Sequence, residues 1–171
     1  MPTYEPIATT TLGSNTANYT FSSIPNTYKD LVLVGRCEMT GAGSTVYCQL
    51  NGDTSSNYYQ MVIERQWTVS SISYIASGPN TGFGLYGWSN GYPGNNYSFM
   101  FETHFNNYAG STKKTILTES AAGSAPSTYV AQGLYASMWN STAAISSIKI
   151  YNNAAADLFQ TGTMFTLWGL K

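Results

Sequence analysis

A chain of 171 residues is long enough for one domain with a substantial core and short for two. Charged side chains make up only 9% of it, against a usual quarter, and seven basic and eight acidic residues leave a formal net charge of −1. The one basic doublet, Lys113-Lys114, is no stripe for neutralising phosphates, which argues against nucleic acid and against an anionic membrane surface.

Low charge does not mean disorder here, because 14 Tyr, 7 Phe and 4 Trp supply the apolar surface that disordered chains lack. The opening "MPTYEPIATTTLG" has no basic region followed by an apolar run, so no signal peptide is expected. No stretch approaches the about 18 apolar residues of a membrane span. Synthesis in a cytoplasm, without a membrane partner, is the expectation.

The recurring period along the chain is two. "NYTFSSI" (18–24) reads as a first strand. "DLVLVGRCEMT" (30–40) then sets Leu31, Leu33, Cys37 and Met39 on one face and Val32, Val34, Arg36 and Glu38 on the other. "GAGS" turns the chain, and "TVYCQLN" returns with Val46, Cys48 and Leu50 alternating against Tyr47 and Gln49. With Ala42-Gly43 as a two-residue turn, this hairpin lies at the centre of the fold. Cys37 then faces Cys48 and Met39 faces Val46, all pointing inward. Cytoplasmic origin favours two buried thiols over a bridge. One cysteine pair with a single distant histidine falls short of the ligands zinc needs.

Residues 58–88 read as two short strands and a long loop. Further strands are expected at 96–106, 113–120, 128–139, 144–152 and 163–171, separated by Gly, Pro, Asn and Ser clusters. In 96–106, Tyr97, Phe99, Phe101 and Phe105 form the buried side; Ser98, Met100, Glu102 and His104 form the outer side. Many short strands without helix signals indicate one all-β domain over 1–171, an antiparallel β-sandwich of jelly-roll type.

Candidate chemistry is thin. Gly82-Phe83-Gly84-Leu85-Tyr86-Gly87 fits G-x-G-x-x-G, but "WSNGYPGNN" follows where a dinucleotide fold needs a helix, so no cofactor is expected. His104 is the single histidine, and Glu102 on the same strand face can orient it. No G-x-S-x-G elbow supplies a nucleophile, and Glu5, Glu38, Glu64, Glu102 and Glu119 form no local pair for glycoside hydrolysis. The reading is a surface Glu–His pair and no enzyme. "NGDTSSNYY" (51–59) offers one carboxylate, Asp53, where calcium wants several, while Asn51-Gly52 is a strong turn signal. A turn is expected there, and no metal.

Two stretches, 66–101 and 120–148, hold no Asp, Glu, Lys, Arg or His. Interface cores are depleted in charge and enriched in aromatics and Met, so these stretches read either as contact between subunits or as a polar surface of hydroxyls and amides. Trp88, Tyr92, Tyr97 and Trp139 are the candidate subunit or glycan contacts, with Tyr129, Tyr135 and Met138 as further anchors. Strand alternation assigns some of these to the core. The loop "YGWSNGYPGNNY" (86–97) suits either stacking on sugar rings or packing against a neighbouring subunit.

"MPTYEPIATTTLGSNTANYTFSSIPNTYKDLVLVGR", "LNGDTSSNYY" and "GTMFTLWGLK" together resemble small virion structural proteins of tailed bacteriophages, of the marine and cyanobacterial type. Both ends and the first third carry the resemblance, with Trp168 and Leu170 standing where that ending has Tyr and Ile; 60–140 matches only in flavour. The resemblance implies a jelly-roll-like domain on the virion, as a capsid decoration (cement) protein or as part of a tail or fibre. It supplies no catalytic residues. The leading expectation is a decoration protein that self-associates as a homotrimer, with the major capsid protein or other virion proteins as further partners. The alternative is a tail-fibre or receptor-binding module that recognises host glycan.

Overall fold

Side chains that alternate between apolar and polar at period two make a strand with one face to bury, and this chain repeats that pattern from end to end. The computed structural model describes residues 3–40, 45–66, 73–86, 97–124, 129–152 and 158–171. Among these there is no helix. In chain order the strands are β1 (Tyr4–Thr11), β2 (Asn18–Phe21), β3 (Asp30–Met39), β4 (Val46–Leu50), β5 (Tyr58–Gln66) and β6 (Ser73–Asn80), then β7 (Phe83–Tyr86), β8 (Tyr97–Phe105), β9 (Lys114–Ser124), β10 (Tyr129–Trp139), β11 (Ile148–Asn152) and β12 (Met164–Leu170).

They form two antiparallel sheets, an eight-stranded one in the order β1-β12-β3-β8-β9-β10-β5-β6 and a four-stranded one in the order β2-β11-β4-β7. Setting aside β1, β12 and the β9–β10 hairpin leaves β3-β8-β5-β6 over β2-β11-β4-β7, the two sheets of a jelly roll. All four additional strands therefore widen the same sheet. The β9–β10 hairpin is inserted into its middle, and both of its strands run 11 residues.

Leu31, Leu33, Cys37 and Met39 of β3 point inward and are fully buried, as are Val46, Cys48 and Leu50 of β4. Each buried Leu or Phe of this kind contributes about 1.5–3 kcal/mol. Phe99, Phe101 and Phe105 line the inner side of β8, and aromatic contacts tie the layers together. Tyr19 of the small sheet stacks on Phe165 of the large one at 5.9 Å, and Phe83 meets Phe105 at 6.4 Å. Gly35 sits opposite Phe101, whose ring occupies the space a Cβ would need. The edge strand β6 is exposed from Ile75 to Pro79.

Three expectations are corrected. The hairpin of β3 and β4 does not exist, because β3 pairs with β12 and β8 in one sheet while β4 pairs with β11 and β7 in the other. Cys37 lies opposite Phe99, and Cys48 opposite Ile150 and Phe83. Inward alternation is the same for two strands of one hairpin and for two strands in facing sheets, so the pattern alone did not choose. Both cysteines are free and buried, and burial pushes both thiols well above their ordinary range. Second, the described residues of 58–88 hold three strands, β5, β6 and β7. Third, β1 pairs with β12 along the sheet edge, where its weak alternation had hidden it.

Candidate functional site

The segment 51–59 closes a tight turn between the two sheets. Asn51 and Gly52 both take left-handed backbone, at φ 54° and 66°, and the Asp53 N–H donates to Leu50 O at 2.9 Å. That is the conformation Asn-Gly pairs favour. The Asn51 side chain then clamps the loop before β11. Its Oδ1 accepts from the Ser146 and Ser147 N–H groups at 2.8 and 3.1 Å, and its Nδ2 donates to Ala144 O at 2.7 Å.

Asp53 is saturated by its own chain. Oδ1 accepts from the Ser55 N–H at 2.9 Å, while Oδ2 accepts from Asn57 Nδ2 at 3.0 Å and from Trp139 Nε1 at 2.7 Å. Partial burial pushes this carboxyl upward, but the bonds from Trp139, Asn57 and Ser55 outweigh it and hold the pKa down at about 2. A cation at Asp53 would have to displace these donors. Among the described residues no cluster of three or more His, Cys, Asp or Glu is placed to hold a metal ion.

Tyr58 completes the knot. Its ring is fully buried and stacks on Trp139 at 6.3 Å. Its hydroxyl accepts from the Leu50 N–H at 3.0 Å and shares its proton between Leu50 O and Asp53 O at 3.3 and 3.2 Å. Burial raises this phenol above its ordinary range, so it stays a donor. Its neighbour Tyr59 points the other way and is exposed.

Trp139 was a candidate surface contact, and here it is corrected. It is 2% exposed, with its indole N–H committed to Asp53. Tyr135 is likewise core, whereas Met138 lies on the outer side, partly exposed. Tyr97 opens β8 opposite Met39 and Ser124. Trp88 and Tyr92 lie outside the described residues. The glycine motif at 82–87 runs into strand β7, and no helix N-terminus follows within the described residues.

Glu102 and His104 do pair, Oε1 to Nε2 at 2.7 Å, with both side chains substantially exposed. Directly across from His104 stand Val32 and Leu117, so no hydroxyl or thiol faces the imidazole in the sheet register. Glu119 lies directly opposite Glu102. Of the basic doublet, Lys113 is exposed and Lys114 is buried, its ammonium donating to the carbonyls of Gly110 and Thr112.

The feature the sequence did not announce is the outer face of the eight-stranded sheet. Register places Tyr59, Met61 and Ile63 of β5 beside Met138, Ala136 and Leu134 of β10. Leu117 of β9, Met100 of β8 and Met164 of β12 continue the same side. Of the large hydrophobic side chains exposed among the described residues, all but Ile75 lie on this face. Met61, Met100 and Val130 are more than half exposed. The signal was present as apolar side chains at alternate positions of β5 and β10, but only the sheet order brings those strands side by side.

Compared with known proteins, the chain matches no family model and no curated protein.

Proposed function

We propose that this protein is a structural component of a tailed-bacteriophage virion, a capsid decoration protein that associates with copies of itself and with the shell. The observation that carries the reading is the apolar outer face of the widened sheet. Nine large apolar side chains are exposed on that one side among the described residues, and exposed apolar patches rimmed by polar residues mark protein–protein contact. A jelly roll is an architecture of viral capsid domains and also of lectins, so the fold agrees without deciding. The likeness of both chain ends to small virion proteins adds the particle as the setting. The Asn51, Asp53 and Tyr58 side chains that suggested a ligand loop at 51–59 are instead bonded within the chain.

Antibody labelling of intact virions, followed by imaging, tests this. Label spread over the capsid is the expected result. Label confined to fibre tips, with purified protein binding host glycan, replaces it with the receptor-binding reading. Absence from the particle overturns both.

A further inference from the structure

We propose that two copies of this chain pack face to face through the outer surface of the eight-stranded sheet, about a twofold axis that runs along β10. The inference names the surface for the self-association proposed above and rests on that reading's premise that copies assemble.

Three observations carry it. The first is extent. From β8 to β6 the face spans five strands. At about 4.8 Å between strands and about 27 Å along the eight residues of β6, that is roughly 650 Å² per copy in projection. Two copies then bury roughly 1,300 Å², inside the size range of specific, stable interfaces. The second is shape. An antiparallel sheet face is matched by another such face stacked about 10 Å away, which is how β-sandwich cores are made.

The third is charge. Glu102 and Glu119 stand directly opposite each other on β8 and β9, an arrangement that costs energy when no cation answers it. The His104 ring nitrogen lies 2.7 Å from Glu102 Oε1, while Glu119 makes no ion pair among the described residues. Arg65 of β5 is exposed on the same face and is likewise without an ion pair among them. Arg65 lies opposite Gln132, and Gln132 opposite Ala121, so these three share one row across the sheet. Turning a copy about β10 exchanges β5 with β9. Arg65 then comes over Ala121 of the other copy, one side-chain row from Glu119 and within reach of a guanidinium. The symmetry produces this pair twice.

The same rotation sets β10 on β10, so that Leu134 meets its own equivalent. It also lays Leu117 over Met61, beside the shallow groove between β5 and β6 that Tyr59, Met61 and Met138 line. A twofold pair is closed and isologous. It differs from the homotrimer expected at the outset.

Self-crosslinking at the axis tests the geometry. Leu134→Cys should oxidise to a covalent dimer, while Met164→Cys, four strands from the axis, should not. Cys37 and Cys48 are buried and do not compete. In sedimentation, wild type should run as a dimer at micromolar concentration. Leu134→Glu, which opposes two carboxylates, should raise Kd at least about thirtyfold with an unchanged circular dichroism spectrum. Glu119→Arg should weaken pairing, and adding Arg65→Glu should restore it.

A wild type that stays monomeric at about 100 μM, a trimer indifferent to Leu134→Glu, or a charge swap without rescue overturns the proposal. These readouts use purified protein alone, so they fail separately from virion labelling. A dimer absent from particles keeps the pairing and removes the phage role. A monomer found on capsids does the reverse.

Discussion

The knot at 51–59 and the outer face of the eight-stranded sheet reverse what their compositions suggest. The first is built of Asn, Asp, Ser and Tyr, the residues of ligand loops, yet its side chains bond to their own chain. Asn51 holds 144–147, Asp53 holds Trp139, and Tyr58 holds Leu50. The second exposes Met, Leu, Ile and Val, the residues of cores, between a few charged ones, yet it faces outward. Polar side chains are structural where the protein supplies every partner, and apolar ones are available for binding where the fold leaves no layer above them.

Breaking the knot should produce the largest change. Trp139→Ala removes a core ring and the strongest-placed donor to Asp53, and is expected to cost about 3–5 kcal/mol in urea unfolding. A loss below about 1 kcal/mol would mean that Trp139 is surface after all. Tyr58→Phe keeps the stacked ring and removes only the hydroxyl. The Leu50 N–H and carbonyl are left buried with one partner fewer, so a loss of about 1–3 kcal/mol is expected from the same measurement.

The knot should also titrate. Asp53 has its folded pKa at about 2, against an ordinary 3.8. A depressed carboxyl stabilises the fold fully above its unfolded pKa and loses that contribution as pH falls through the folded one. About 1–2 kcal/mol should therefore vanish between pH 4 and pH 2, allowing for solvent screening at this partly exposed site. Thermal unfolding of Asp53→Asn across that window should lack this component, and identical pH profiles for mutant and wild type would contradict it.

The outer face should be nearly silent in the monomer. Met100→Gln and Leu134→Gln are expected to change unfolding free energy by less than about 0.5 kcal/mol when measured in protein too dilute to associate. His104→Ala should be as quiet, since an exposed Glu–His contact contributes little. A large loss from any of these would show that the face packs on its own chain, and the contrast between the two regions would disappear.

Much of this was legible in the residues. Period-two alternation determined the strands, the inward sides of β3, β4 and β8, and hence the all-β sandwich. Asn51-Gly52 determined the turn, because few other pairs tolerate two successive left-handed residues. Burial of Cys37 and Cys48 followed from the same alternation. What alternation cannot carry is which strand lies beside which. A strand buries one face equally well against a hairpin partner or across a sandwich, so Cys37 opposite Cys48 and the actual separation into two sheets looked alike. Nor does alternation say which side is covered. Trp139 and Leu134 both sit on β10 in a charge-free stretch, and an odd or even position separated core from surface only once the sheet had chosen its inner side. The exposed apolar face arose when β9 and β10 entered the middle of the larger sheet and placed Leu117 and Leu134 on the same side as Met61 and Met100. Local periodicity is a property of the chain, but adjacency is set by long-range pairing, and only the tertiary structure decides it.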